Sequence, residues 1–148
     1  MSVELELDDL YRDIILDHYR QPRNRGTLPQ PNLSGEGYNP VCGDEVSIQV
    51  TFRDGKVERA MFTGRGCSIS QASSSMLTEV VRGKTIEQVS HLIGKFKGMM
   101  TQQEPPAPEL GDLEALEGVR KFPVRVKCAT LAWNVLEGIL KERPETST

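Results

Sequence analysis

Cys42, Cys67 and Cys128 are the only cysteines in a chain of 148 residues. Each sits in a short, biased setting: Asn39-Pro40-Val41-Cys42-Gly43-Asp44, Gly64-Arg65-Gly66-Cys67-Ser68-Ile69-Ser70, and Arg125-Val126-Lys127-Cys128-Ala129. Two are wrapped in glycine turns, and the first is followed two residues later by the carboxylate of Asp44. Three thiols and one carboxylate are four soft or borderline donors, the set a tetrahedral zinc or iron site takes. A fold that uses them together must return three distant segments to one place. That requirement constrains the chain more than its composition does.

The length suits a single domain over residues 1–148, large enough to bury one core without disulfide staples. An odd number of cysteines argues against a secreted disulfide framework. The acidic start, Met1-Ser2-Val3-Glu4-Leu5-Glu6, lacks the basic and apolar regions of a signal peptide, and no apolar run approaches the roughly 20 residues of a membrane span. The expected place of work is the cytoplasm, with no membrane partner. The net charge of −3, with acids and bases interspersed, gives no support to nucleic acid as a partner, because binding its backbone requires a basic surface. One local basic cluster exists, Arg120, Lys121, Arg125 and Lys127. Such clusters are commonly solvated faces, but this one encloses the third cysteine.

Leu7, Leu10, Tyr11, Ile14, Ile15 and His18 follow helical spacing, and Asp8-Asp9 suits the positive end of that helix. From Pro22 to Pro40, recurring Pro, Asn and Gly predict an irregular wrapping segment. Val46, Ile48, Val50 and Phe52 alternate as in a half-buried strand, Asp54-Gly55 signals a hairpin, and 57–63 reads as the return strand. Cys42 precedes the outgoing strand and Cys67 follows the incoming one, so an antiparallel hairpin brings them to the same end. A second helix carries Ile69, Ala72, Ser73, Met76, Leu77, Val80 and Val81, with serines offering N-cap hydroxyls and Gly83 a C-terminal cap. Thr85 to Gln88 fits a capping box for a third helix through Val89, Leu92, Ile93 and Phe96. The Pro-rich run 104–108 predicts a surface excursion, with a short helix over 112–116. After Pro123, Cys128, Leu131, Ala132, Val135, Leu136 and Ile139 form the apolar stripe of a final helix.

A cysteine binds metal or attacks sulfur as the thiolate, which helix N-termini and adjacent cations favour. Cys67 and Cys128 both fall near predicted helix starts, with Arg65 beside one and Arg125 and Lys127 beside the other. A divalent ion held by three thiolates and one carboxylate leaves an excess of negative charge, and Arg125 is the expected cation that offsets it. Plainer readings stand beside these. A free cysteine is often a small apolar core residue, which suits Cys128 on its helix stripe, and Asp44 after Gly43 suits a turn. His18 and His91 lie within helical patterns away from the cysteines. Met76, Met99 and Met100 read as packing residues.

Three motifs, Asn39-Pro40-x-Cys42-Gly43-Asp44, then 66–76 around Cys67, then Lys127-Cys128-Ala129-x-Leu131-x-Trp133, resemble the U-type iron–sulfur cluster assembly proteins (IscU, SufU and the NifU N-terminal domain). The opening Leu10-Tyr11-Arg12 to Pro22-Arg23-Asn24 resembles them too. Within that family the chain is most similar to the SufU branch. Lys127 stands where the IscU branch has a histidine, and residues at about 94–119 resemble the SufU-type insertion. The resemblance implies an α+β fold, a small antiparallel sheet with helices packed on it and the cysteines at one end. It also implies Cys42, Asp44, Cys67 and Cys128 as zinc ligands. The implied activity is acceptance of sulfur from a cysteine desulfurase and its delivery to nascent iron–sulfur clusters, passed on to an apo iron–sulfur protein or a downstream assembly protein. Such a protein is not a stand-alone enzyme but a zinc-dependent sulfur acceptor acting with its donor. The rival within the family is a scaffold that holds iron or a transient [2Fe–2S] cluster on Cys42, Cys67 and Cys128.

Cys42, on its glycine-flanked loop, is the expected sulfur acceptor, with Arg125 in electrostatic support. Cys42 is also the ligand expected to be released when the donor docks, while Asp44, the hardest donor and by softness the most weakly held, is able to swing away or to open the site for iron. Two readings outside this class remain open: a partner-independent thiol enzyme, which would want a histidine base, and a purely structural zinc site.

Overall fold

The computed structural model describes residues 9–31 and 33–142. The acidic start, Leu7 and Asp8 lie outside the described residues. Helix α1 (Asp9–Arg20) leads into a segment that returns along the sheet, followed by strands β1 (Leu33–Asn39), β2 (Asp44–Arg53) and β3 (Lys56–Arg65). Helices α2 (Ser68–Val80) and α3 (Ile86–Thr101), a 3₁₀ segment (Pro108–Lys121) and helix α4 (Pro123–Glu142) complete the chain. The sheet is antiparallel in the order β1-β2-β3. The α+β architecture matches the expectation. No helix among the described residues is long and apolar enough to cross a membrane.

The β2–β3 hairpin forms where the sequence places it. Asp54 and Gly55 both have positive φ, 56° and 78°, the pair that a two-residue turn between right-twisted strands requires. Val46, Ile48, Val50 and Phe52 point inward from β2 and meet Phe62, Ala60 and Val57 on β3. Period-two burial makes this one face of the core.

Strand β1 departs from the expected irregular segment. Its sequence, Leu-Ser-Gly-Glu-Gly-Tyr-Asn, carries glycines that strands usually avoid. The reason is α4, which lies directly on the strand. A Cβ built on Gly37 would sit 2.5 Å from Val135 and 3.1 Å from Leu131, and one on Gly35 would sit 2.9 Å from Ile139. The space a β-branched side chain would need is filled by a helix, so the strand is legible only from its partner. The other side of the sheet is closed by residues 24–26, where the Gly26 N–H donates to Phe62 O and the Phe62 N–H to Asn24 O.

Helix α2 is the axis of the molecule, buried without a break from Ile69 to Thr78. Its N-cap is Cys67, not one of the serines that the sequence suggests; Ser74 bonds back to Ser70 O within the helix, and the hydroxyls of Ser73 and Ser75 are spent between elements. Ser73 donates to Ala129 O and accepts from the Trp133 indole, and Ser75 bonds His18 Nδ1 and the Arg23 N–H. Small hydroxylated residues let α1 and α4 approach closely while every buried oxygen keeps a partner. His18 Nε2 reaches Asp112 at 3.0 Å and Tyr11 bonds Glu114, which seams α1 to the 3₁₀ segment. Leu10, expected on the apolar stripe, is exposed.

The capping box at Thr85 and Gln88 is present. Helix α3 runs past Phe96 to Thr101, burying Met99 and Met100, and Phe96 stacks on Trp133 at 4.8 Å. The short helix expected over 112–116 is a longer 3₁₀ segment broken at Gly111 (φ 57°) that buries Leu110, Leu113, Leu116 and Val119. Gly111, at positive φ, breaks the segment, and its apolar residues recur at every third position, the 3₁₀ period, without the mixed three-and-four spacing that marks an α-helix.

Two glycine substitutions separate these effects in chemical denaturation. Gly37→Val forces side chains into α4 and lowers stability by about 1–3 kcal/mol. Gly138→Ala, in α4 with nothing within 4 Å of the new Cβ, raises it by about 0.5–1 kcal/mol.

Candidate metal centre

The end of the sheet that carries the cysteines is built from four element boundaries. Register pairs Asn39, the last residue of β1, with Asp44, the first of β2. Both face inward, below the row formed by Gly37, Val46 and Gly64. The four-residue turn between them carries Cys42 and closes through a Gly43 N–H bond to Asn39 O, with Gly43 at φ 73°. Cys67 follows β3 as the N-cap of α2, and Cys128 lies in the second turn of α4.

The close seat of α4 on the glycines of β1 brings Cys128 down to this corner. Its sulfur is 3.1 Å from that of Cys42, and the residue is 1% exposed. All three cysteines are free thiols. Asp44, fully buried, joins them: donor atoms of Cys42, Asp44 and Cys128 all lie within 4.8 Å of one another. In a tetrahedral zinc site, with bonds of about 2.0–2.3 Å, neighbouring donors stand about 3.3–3.8 Å apart. The three donors fit such an ion with displacements of an ångström or so.

Cys67 is not one of those three. Its thiol accepts the Ser70 N–H at 3.5 Å, capping its own helix, while its backbone N–H donates to Asp44 Oδ1 at 3.0 Å. It is close enough to Cys128 to bear on that thiol electrostatically. Gly66 makes this approach possible, because a Cβ there would stand 2.4 Å from Asp44 Oδ1. Oδ2 of the same carboxylate accepts from Asn39 Nδ2 at 3.3 Å. Asp44 is therefore anchored at both oxygens, against the expectation that it swings freely.

Without a metal the corner favours the protonated thiol at Cys128. Burial pushes the Cys128 thiol well above its ordinary pKa, and hydrogen bonds with Cys42 and Asp44 and the charge of Cys67 add to the rise. Arg125 is the nearest compensation. Burial alone would lower its pKa, but Cys67, Cys128 and Cys42 together raise it, which keeps the guanidinium charged beside the thiols. A divalent ion would reverse the balance at Cys128 and favour the thiolate. Two sulfurs and one buried oxygen are a borderline donor set, which suits zinc.

Beyond Cys42 the surface opens into a cleft lined by Val41, Lys121, Phe122, Pro123, Val124 and Arg125. Val41 and Val124 are 62% and 50% exposed. The basic cluster divides here: Lys121 and Arg125 face the cleft, while Arg120 bonds Met99 O, Glu104 O and Glu117 and serves the fold. The histidines are engaged elsewhere, His18 with Ser75 and Asp112 and His91 with Glu109. Sequence reasoning gave Asn39 and Gly66 no role. An Asn before Pro and a Gly before Cys read as turn residues, and only the tertiary approach of Asp44 distinguishes them.

Comparison with known proteins shows the family of the chain. The family model described as the NifU-like N terminal domain matches residues 10–135. The zinc-dependent sulfurtransferase SufU of Bacillus subtilis is 46% identical over 96% of this chain and 97% of its own length. The iron–sulfur cluster assembly scaffold protein IscU of Streptococcus pyogenes is 44% identical over 92% of this chain and 86% of its own. The crystal structure of a NifU-like N-terminal protein from Brucella abortus superposes with a TM-score of 0.85 at 24% identity, covering 94% of this chain and 97% of its own, and shares the fold. The chain belongs to the NifU-like N-terminal domain family of iron–sulfur cluster assembly proteins.

Proposed function

We propose that this protein accepts sulfur from a cysteine desulfurase on a zinc-bearing thiol site and delivers it to iron–sulfur cluster assembly. The observation that carries the reading is the convergence of Cys42, Asp44 and Cys128 within 4.8 Å, two thiols and a buried carboxylate at one corner. Cys67 is assigned as the fourth ligand, since its backbone already rests on Asp44 and its thiol bears on Cys128. Zinc, when bound, supplies a thiolate form that is protected from adventitious oxidation and muted as a nucleophile.

Cys42 is the acceptor. It sits on a short turn with an exposed neighbour, whereas Cys128 is buried and Asp44 is fixed at both oxygens. In the transfer, the Cys42 thiolate attacks the terminal sulfur of the donor's persulfide. A new S–S bond forms on Cys42, the donor's S–S bond breaks, and the donor leaves as a thiolate. Arg125 offsets the charge that gathers at the thiols. The cleft beside Cys42, with Val41 and Val124 exposed between Lys121 and Arg125, gives the donor protein an apolar contact with a basic rim. The product, sulfur held as a persulfide, passes to an apo iron–sulfur protein or a downstream assembly protein in the cytoplasm.

The relative named as a scaffold supports a second reading, in which Cys42, Cys67 and Cys128 hold an iron–sulfur cluster as cargo. Reconstitution with iron and sulfide separates the two. A stable visible absorption band and transfer to an apo-acceptor belong to the scaffold, and their absence with sulfur acceptance intact belongs to the carrier.

A desulfurase assay with and without the protein tests the carrier. Stimulation is expected with the wild type and lost in Cys42→Ser, with persulfide on the chain falling more than about tenfold. No stimulation by the wild type defeats the proposal. Chelation at neutral pH followed by thermal unfolding weighs zinc as a folding element: the metal-free chain is expected to stay folded with a lower midpoint, because its core is large without the site, whereas complete unfolding would favour a structural zinc.

A further inference from the structure

Asn39 turns both ends of its carboxamide and its backbone carbonyl toward the ligand corner. Its Nδ2 donates to Asp44 Oδ2 at 3.3 Å and to Cys128 Sγ at 3.7 Å. Its Oδ1 accepts the Val41 N–H at 3.2 Å, and its backbone O accepts the Gly43 N–H at 2.8 Å, on either side of Cys42. The residue is 6% exposed, so these bonds form away from bulk water. The carboxamide orientation follows from the network: reversed, it would set an oxygen against the carboxylate and the sulfur, and an amino group against the Val41 N–H.

We propose that Asn39 is the positioning residue of the metal centre, one carboxamide that sets the geometry of Cys42, Asp44 and Cys128 together. The inference rests on the zinc reading above. The amino group pins the carboxylate in one orientation and withdraws charge from the Cys128 sulfur, which moderates that thiolate as a donor. The amide oxygen holds the Cys42 turn against the end of β1. Packing alone does not account for the residue. An apolar side chain of the same volume would fill the space but leave Asp44 Oδ2 and the Val41 N–H without the bonds they make here, in a buried setting where such losses are costly.

Two substitutions in the full chain test it. Asn39→Asp keeps the volume and the acceptor for the Val41 N–H but has no donor, and Asn39→Ala removes both. Zinc content, zinc loss to a competing chelator, and the visible absorption of the cobalt(II)-substituted protein are read alongside thermal unfolding of the metal-free forms. Both variants are expected to lose zinc about tenfold faster than the wild type, as removal of outer-shell partners does at other metal sites. Both are also expected to show a changed cobalt(II) ligand-field spectrum, a readout that a packing defect would not move. Zinc loss and a cobalt spectrum within twofold of the wild type in both variants would overturn the role of Asn39. So would an unchanged spectrum with faster zinc loss that tracks lower stability of the metal-free chain. Failure of the wild type itself to bind one zinc would instead remove the reading on which the inference rests.

Discussion

The contact between α4 and β1 governs the rest of the molecule. Gly35 and Gly37 let Val135, Leu131 and Ile139 sit directly on the strand's backbone, and this close seat sets how far Cys128 descends toward the end of the sheet. A larger side chain in β1 would lift the helix and separate Cys128 from Asp44 and Cys42. The packing of a strand with little side-chain surface is thus what turns three cysteines spread over the chain into a single corner. Core packing and site chemistry share one cause, because native interiors are too dense to adjust one without the other.

Within that corner the four proposed ligands differ in how firmly they are held. Asp44 is tied at both oxygens, by the Cys67 N–H and by Asn39, Cys128 is set in a helix against the core, and Cys67 caps α2. Cys42 rides on the turn between β1 and β2, whose Val41 and Gly43 N–H groups are both bonded to Asn39. In the proposed sulfur exchange, the fixed positions of Asp44, Cys67 and Cys128 keep the shape of the corner while the Cys42 thiol engages the donor. Softness ranks Asp44 as the weakest donor, but mobility is decided by the backbone and the second layer of hydrogen bonds.

Much of this was readable from residues in order. The β2–β3 hairpin, the Thr85 capping box, α2 and α4 follow local rules that act within a few residues: alternation, turn chemistry and helical spacing. The three cysteines and Asp44 were legible because donor chemistry restricts what they can do together. What escaped the sequence depends on distant partners. Strand β1 hides behind its glycines, the 3₁₀ segment behind the break at Gly111 and its three-residue period, and Ser73 and Ser75 of α2 behind their bonds to neighbouring helices. Asn39 and Gly66 carry no local signal at all, because each is defined by where the Asp44 carboxylate lands.

The seam between α1 and the 3₁₀ segment has a bearing on how the chain reaches this state. His18 meets Asp112 across 94 residues, and Tyr11 meets Glu114 across 103. Closing loops of that size costs entropy before any contact repays it. During synthesis the first helix meets part of its seat when α2 emerges with Ser75, but the rest arrives only with the last third of the polypeptide. Residues 9–20 are therefore expected to lock on near the end of assembly, and to be the first element released when the fold is loosened.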